Sequence, residues 1–335
     1  MLSWTKKIAF CVLIFMVLGA NGSSGEAQKE LLLFRIGSAG IGGLYFPIAN
    51  AMAKIFTGLS LCPAEQASCE LPKLLAVAQI SNGSVANVRD LRDGNLESGL
   101  VQSDVAYHAY FGMGFFEQEG PYKNLRVIGN LYAEYLHIVV PAASTIQSVA
   151  DLKGKRVSLD EPGSGTLASA RFILKAYGLR ERDLRVVYLK PQLAASALQE
   201  KRLEAFFLVA GYPAKTIAKL ALTDAIRLVP CSAFRIKFSI RDYPYFFYST
   251  IPADSYHNIV TTPTLAVGAQ LLVDARLDEE LAYAMTRLLW SEQAHEILSK
   301  AHIRGREVRL EQALDGVILP LHQGAVRYYR EVGLL

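Results

Sequence analysis

Residues 31–56 read LLLFRIGSAGIGGLYFPIANAMAKIF, and this stretch decides the fold class of the chain. Leu31–Ile36 is a short apolar run typical of a buried strand. After the glycine-rich turn Gly37–Gly43, apolar residues recur at helical spacing from Ile48 to Ile55. A strand that passes through glycine into a helix exposes unpaired N–H groups at the positive end of the helix dipole. The stretch therefore predicts a strand–turn–helix unit whose turn suits carboxylate or phosphate oxygens.

Three further junctions repeat this pattern of apolar run, polar turn and amphipathic segment; their turns are Ser81–Asn87, Gln102–Asp104 and Gly163–Thr166. Alternating strands and helices predict parallel sheets covered by helices on both faces. Ligands bind such sheets at the carboxyl ends of strands, so the four turns are expected to converge on one ligand. Each turn also fits a plain helix start, stabilised by about 1 kcal/mol through a capping hydroxyl. The predicted caps are Ser84, Ser103 and Thr166.

Four longer segments complete the predicted organisation. The apolar run Arg126–Val140 is expected to cross between two lobes, and Thr264–Val273 is a long strand that returns the chain to the first lobe. Glu279–Leu298 has the spacing of one amphipathic helix. The aromatic tract Tyr243–Tyr256 is expected to form an irregular loop that covers one lobe.

The amino terminus has the pattern of a secretory signal peptide. Lys6 and Lys7 precede an apolar run of eleven residues, Ile8–Leu18, and small residues follow it. We expect residues 1–20 to form the signal peptide, with cleavage between about 20 and 27. A membrane anchor is the weaker interpretation, because a bilayer span needs roughly 20 apolar residues. The chain is therefore expected to be exported to the periplasm.

Composition and cysteine content narrow the function classes. The 35 Lys and Arg residues stand against 31 Asp and Glu, and this net charge of +4 is too weak and scattered for a nucleic-acid partner. In an oxidising compartment Cys62 and Cys69 are expected to form a disulfide across a short loop, which leaves Cys231 free. No second Cys or His pair stands at metal spacing, so we expect neither a metal nor a cofactor.

The glycine turns do not fit the common catalytic motifs. Around Ser164 the nucleophile elbow Gly-x-Ser-x-Gly fails, because Pro162 and Thr166 stand at its glycine positions. Neither turn has the ending of a P-loop or the spacing of a dinucleotide-binding loop. We expect no enzyme, and a secreted hydrolase is the least favoured alternative.

In these turns and in further motifs the chain resembles the TAXI family, the extracytoplasmic solute receptors of one class of tripartite ATP-independent periplasmic (TRAP) transporters. The resemblance runs from about Leu31 to Leu335. The motifs that carry it are IGSAGIGGLYFP at 36–47, GSVANV at 83–88, VQSDVA at 101–106, PGSGT at 162–166, FFLVAGYP at 206–213, TIPA at 250–253 and PLHQGA at 320–325.

The resemblance implies an α/β type II periplasmic-binding-protein fold, with two lobes, a ligand cleft between them and crossing hinge strands. One lobe would comprise 28–136 plus 262–335, and the other 137–261. It further implies a monomeric receptor for a small anionic solute, such as glutamate, a related amino acid or a 2-oxo dicarboxylate. This receptor would deliver its solute to a TRAP-type permease driven by an ion gradient. A secreted signalling or host-interaction protein remains the alternative.

The family motifs also imply which residues bind the solute. Arg89 or Arg171 is a candidate counter-charge from an adjoining helix, and backbone donors are the other possibility. The implied ligand-binding residues are Gly40, Gly43, Tyr45, Ser84, Asn87, Gln102, Ser103, Gly163, Ser164, Gly165, Thr166, Ala210, Gly211 and Tyr212.

Overall fold

The computed structural model describes residues 31–57, 73–223 and 226–335. The predicted signal peptide and the predicted Cys62–Cys69 disulfide lie outside these residues. Among the helices described, none is both long and apolar enough to span a membrane.

The strands are β1 (Leu31–Gly37), β2 (Lys73–Gln79), β3 (Ser98–Gln102), β4 (Leu125–Pro141), β5 (Arg156–Ser158), β6 (Arg185–Val187), β7 (Ala205–Ala210), β8 (Ile226–Leu228), β9 (Phe246–Ile251) and β10 (Thr262–Asp274). The helices are α1 (Tyr45–Thr57), α2 (Ser84–Arg92), α3 (Ser103–Phe111), α4 (Gly165–Ala176), α5 (Pro191–Gln199), α6 (Lys215–Thr223), α7 (Ala233–Ser239), α8 (Glu279–Leu289), α9 (Glu292–Ala301) and α10 (Gln323–Glu331).

The strands pair in the order β2-β1-β3-β10-β4-β7-β5-β6, with β8 on β4 and β9 on β10. β1 runs parallel to β2 and β3, and β5 runs parallel to β6 and β7. The long strands β4 and β10 are antiparallel to each other, and they are also antiparallel to β7 and β3 respectively. The predicted parallel pairing is present among β1, β2 and β3 and among β5, β6 and β7, whereas the two strands that carry the chain between the lobes run against their neighbours.

β4 and β10 join two lobes. The register from Leu125–Asp274 to Tyr135–Ala266 keeps them paired across the middle of the molecule. On one side, β1–β3 pack with α1, whose buried Ile48 and Phe56 share a core with Tyr329 of α10. On the other side, β5 and β7 form a second core with α4. The predicted crossing run at 126–140 thus corresponds to β4.

Two predicted elements differ from the structure. The expected single helix over 279–298 is two helices, because Ser291 starts a new one by accepting the Ala294 N–H at 3.1 Å. Trp290 stands at the break, and its Nε1 donates to the hydroxyl of Tyr329 at 2.9 Å. The aromatic tract expected to be irregular contains β9, since pairing with β10 satisfies its backbone.

The capping predictions were also wrong. Each of the three named residues lies one or two positions inside its helix, so its hydroxyl is free for contacts other than a cap. The observed N-cap residues are Gly83, Gln102 and Ser164. Only Ser164 of these caps with its side chain, which accepts the Leu167 N–H at 3.1 Å.

Cys231 is a free, buried thiol, as expected, and burial raises its pKa to about 12. Since the thiolate is the reactive form, we expect Cys231 to resist iodoacetamide at pH 8 in the folded protein and to react fully in denaturant. Peptide mass mapping after each treatment measures this difference. Equal labelling in both conditions would contradict the burial of the thiol.

Candidate functional site

A cavity of about 80 Å³ lies between the lobes, where several strands end. One wall comes from the turn after β1, the start of α2 and the end of β3; the other comes from the turn after β5, the start of α5 and the end of β7. The centre of β4 forms the floor. The lining residues are Ala39, Gly40, Gly43, Leu44, Tyr45, Asn82, Gly83, Ser84, Gln102, Glu134, Asp160, Glu161, Ser164, Gly165, Thr166, Lys190, Pro191, Gln192, Leu208, Val209 and Ala210.

Most of the residues predicted to bind a ligand meet at this cavity, although they are far apart in sequence. They come from both lobes, as the convergence of four turns predicted. The predicted residues that line it are Gly40, Gly43, Tyr45, Ser84, Gln102, Ser164, Gly165, Thr166 and Ala210.

Two predicted residues lie behind the wall of the first lobe. The amide of Asn87 donates to the carbonyls of Ser38 and Leu100, each at 2.8 Å, and so ties the first turn to β3. The hydroxyl of Ser103 donates to the carbonyl of Tyr245 at 3.3 Å. Both side chains support the site from outside the cavity lining.

Gly211 and Tyr212 lie behind the wall near the end of β7. A Cβ added at Gly211 would stand 2.5 Å from Cδ2 of Leu44, so a larger residue here would have to displace the Leu44 side chain. The guanidinium of Arg304 stacks 3.4 Å from the ring centroid of Tyr212, and its Nε donates to the Tyr212 carbonyl at 2.7 Å. These residues hold the β7 turn in place.

Gly163 joins the lobes directly. Its carbonyl accepts the N–H groups of Val85 at 3.0 Å and of Ala86 at 3.1 Å, both in the first turn of α2. Those N–H groups are the ones that a helix leaves without internal partners. The α2 N–H groups that the sequence analysis assigned to a ligand are therefore bonded to the second lobe. Because these hydrogen bonds join the two lobes, the structure is a closed form.

Gly165 is one of the points where the two walls approach each other closely. A Cβ built there would stand 1.9 Å from Oε1 of Gln102 and 2.9 Å from Oγ of Ser84. Beside it, the hydroxyl oxygen of Thr166 accepts the Val209 N–H at 3.0 Å. The Thr166 hydroxyl is therefore bonded within its own lobe, to the Val209 N–H through its oxygen and to the Asp160 carboxyl through its hydrogen.

The structure adds three carboxyl groups that the sequence interpretation missed. Glu134 on β4 is 3 % exposed; the Tyr45 hydroxyl donates to its Oε2 at 2.8 Å, and burial raises its pKa to about 8. Asp160 follows β5 in the left-handed region with φ of 72°, and burial raises its pKa to about 6. Glu161 lies 3.6 Å from Lys190. Within the described residues, Lys190 is the only cationic side chain that lines the cavity.

The sequence carries a signal for two of these acids. Glu134 is the one acid within the apolar run 126–140, and a charge in a buried strand usually serves a site. Asp160 stands between a strand and a glycine turn, where ligands bind. The candidate counter-charges lie elsewhere: Arg89 pairs with Glu119 at 2.7 Å, and Arg171 pairs with Glu181 at 2.5 Å.

Comparison with known proteins supports the fold. The model of the family described as NMT1-like matches residues 36–333. The chain is similar to the binding protein component of an ABC phosphonate transporter from Pseudomonas aeruginosa, with 10 % identity over 83 % of this chain and 80 % of that one, at a TM-score of 0.51. A protein from Bordetella bronchiseptica is similar as well, with 16 % identity over 89 % of this chain and 82 % of that one, at a TM-score of 0.52. The chain is also similar to the alkanesulfonate-binding protein SsuA of Xanthomonas axonopodis pv. citri, with 17 % identity over 90 % of this chain and 80 % of that one, at a TM-score of 0.48. The expected α/β fold of type II periplasmic binding proteins, with two lobes and a cleft, is confirmed.

Proposed function

The chain belongs to the NMT1-like family, and we propose that it is an extracytoplasmic receptor that captures a small carboxylate-bearing solute between its lobes. The observation that carries the proposal is the cavity itself, since both lobes supply its polar groups. A solute that touches both walls binds the closed form more tightly than the open one, and so shifts the protein toward closure. Closure is then the signal that a membrane partner detects.

The start of α4 is the proposed carboxylate subsite. The first N–H groups of a helix lack internal partners and stand at the positive end of its dipole. At α4 these groups begin at Gly165 and Thr166, which line the cavity beside the Ser164 hydroxyl. A carboxylate there needs no arginine, in keeping with the positions of Arg89 and Arg171 outside the lining.

The size of the cavity limits the solute and the route of entry. A volume of about 80 Å³ lies below the roughly 300–1,000 Å³ of common ligand pockets. The solute is therefore small, and it enters when the Gly163 contact with α2 opens.

We further propose a periplasmic location and delivery to a TRAP-type permease, on the resemblance to the TAXI family. The protein catalyses no reaction in this proposal.

We expect small carboxylates to raise the melting temperature, whereas phosphonates and sulfonates of equal size do not. A free solute at about 100 times its Kd stabilises a protein by roughly 2.7 kcal/mol, which a thermal-shift panel detects. Native mass spectrometry of the protein as purified identifies any solute it retains. A panel in which no carboxylate raises the melting temperature would contradict the receptor proposal. Uptake of the identified solute by cells with and without the candidate permease then tests delivery.

A further inference from the structure

We propose that helix α7 binds the surface of an anionic lipid bilayer, through two exposed phenylalanines and the cations around them. This surface is separate from the solute cavity, and the proposal does not depend on which solute the cavity takes. The inward side chain Ile236 belongs to the core of the second lobe, and α7 packs against α4, β9 and β10. The helix is therefore a fixed part of the fold that can present its outward side to a partner.

The first observation is a pair of exposed aromatic side chains. Phe234 is 81 % exposed and Phe238 is 67 % exposed, and Phe234 is the most exposed large hydrophobic residue in the part of the chain that the structure describes. The two are four positions apart on α7, so they project from the same side of the helix. Together with Phe172 of α4 they line a groove of about 600 Å³. Neighbouring phenyl rings left in water mark an interaction surface, since their burial is favourable.

The second observation is a concentration of unpaired cations around these rings. Lys175 and Arg235 line the same groove, and Lys237 and Arg241 each follow one of the phenylalanines by three positions. No ion pair formed within residues 31–57, 73–223 and 226–335 includes any of these four cations. The described lining of the groove contains one acid, Asp242. These side chains and the two phenylalanines form the α7 face, where four cations against one acid leave a net charge of +3.

Aromatic rings behind the α7 face position two of its cations. The guanidinium of Arg235 lies 5.1 Å from the ring centroid of Tyr177, and Nζ of Lys237 lies 5.3 Å from that of Tyr248. The face of an aromatic ring attracts a cation without neutralising its charge. Both charges therefore stay available to an anion.

An anionic bilayer matches the apolar and the charged part of the α7 face at once. Phenyl rings enter the boundary between lipid head groups and acyl chains, and each Lys or Arg near an anionic surface strengthens binding by about fivefold. A specific protein interface instead covers roughly 800 Å² on each partner. The α7 face is centred on one helix of seven residues, so its size favours lipid over a protein partner.

Flotation of the full chain with vesicles tests the proposal. One set of vesicles contains equal parts of phosphatidylcholine and phosphatidylglycerol, and the other contains phosphatidylcholine alone. We expect at least tenfold tighter binding to the anionic vesicles, and weaker binding as salt screens the cations. Absence of binding to both sets would overturn the proposal. Equal binding to both sets would show that the cations take no part, and would overturn the assignment to an anionic surface.

The double variant Phe234→Ser, Phe238→Ser removes both rings from exposed positions, so its melting temperature should stay that of the parent. We expect it to bind the anionic vesicles at least tenfold more weakly. Leu222→Ser is the matched control, because Leu222 is 73 % exposed on α6, and it should float as the parent does. All these proteins share one amino terminus, so the apolar run Ile8–Leu18 cannot account for a difference between them. Unchanged flotation of the double variant would overturn the proposal.

Lys237→Glu tests the charged part of the α7 face. We expect at least fivefold weaker binding to the anionic vesicles and little change with phosphatidylcholine alone. Arg330→Glu makes the same change of charge at an exposed residue of α10 and should bind as the parent does. Equal weakening by both variants would mean that the net charge of the chain acts without a dedicated face, and would overturn the proposal.

Two further measurements separate the α7 face from other occupants and from the solute cavity. Light scattering of the protein in solution detects a dimer; a dimer that the double phenylalanine variant dissolves would assign the face to a second copy and overturn the lipid proposal. Lys175 stands ten positions after Gly165 on α4, about 15 Å along the helix from the cavity. We therefore expect the double variant to keep the solute Kd of the parent. A solute panel without any hit would leave the vesicle result unaffected.

Discussion

Gly165→Val is expected to abolish solute binding while both lobes remain folded. In the closed form a single added Cβ would already stand 1.9 Å from Gln102 Oε1 and 2.9 Å from Ser84 Oγ. Both contacts belong to the opposite lobe, and the Gln102 and Ser84 residues that make them are each 2 % exposed. The branched side chain therefore blocks closure, and a receptor whose competent form is depopulated binds correspondingly more weakly. We expect the Kd to rise at least 100-fold.

Calorimetry with the best solute of the panel measures this loss, and small-angle X-ray scattering measures whether the lobes still close. The ligand-free melting temperature should change by only about 3 °C, because opening the cleft relieves the clash. Ala176→Val is the matched control: it enlarges a half-buried residue at the other end of α4, away from the cavity, and should bind normally. A Gly165→Val protein that closes on its solute with unchanged affinity would show that the walls do not approach through this residue.

Local patterns were enough to predict the elements that carry the site. The glycine turn after Leu31–Ile36, the turn at Gly163–Thr166 and the crossing run near 126–140 all lie where the sequence suggested. Each of these signals depends on neighbours along the chain: apolar periodicity, glycine and a following amphipathic segment. Gln102 and Gly165 lie in turns that these patterns mark, whereas the resemblance to a known family is what implied that Tyr45, Gln102 and Gly165 bind the solute.

Contacts between distant segments were not predictable in this way. The Gly163 carbonyl occupies the α2 amides only because the lobes meet, and no local pattern encodes that meeting. Ser103 was predicted to be a cap, but it is the first residue of its helix, and its hydroxyl donates to the carbonyl of Tyr245, which lies 142 residues away in sequence. The break at Trp290 depends likewise on Tyr329 in the last helix.

The charge of the site was the largest omission, and its reason is physical. A glycine turn at the start of a helix exposes backbone N–H donors, and such donors favour an anionic ligand. Glu134 reaches the same cavity from the middle of a strand, where alternation between faces decides its direction. Sequence spacing alone gives the donors at the strand ends, whereas the acids become part of the site only when the sheet is assembled.

The ligand-free protein is expected to lose stability as the pH rises from about 6.5 to 8.5. Burial raises the pKa of Glu134 to about 8 and that of Asp104 to about 7, above the ordinary values of 4.5 and 3.8. Across this window the unfolded chain has already released both protons, whereas the folded protein begins with them largely bound and releases them as the pH rises, so a higher pH favours unfolding. The groups that face Glu134 are Tyr45 from α1, Tyr132 from β4 and Asp104 from α3, and none of them is a cation.

Below pH 6.5 an opposite effect begins. Burial lowers the pKa of His137 to about 4, and it also lowers the pKa of His108, His302 and His322. These histidines are neutral when folded and charge on unfolding, so their contribution is present above pH 6.5 and is lost as the pH falls. The two trends oppose each other, and above pH 6.5 the buried acids dominate.

Thermal unfolding of solute-free protein at constant ionic strength measures this dependence. The two acids together should remove about 2 kcal/mol between pH 6.5 and 8.5, which corresponds to roughly 5 °C. Glu134→Gln should flatten most of that slope and melt above the parent at pH 8.5, whereas Glu117→Gln, an exposed change outside the cavity, should follow the parent curve. A parent melting temperature that stays constant or rises across the window would mean that Glu134 is already ionised in the ligand-free protein.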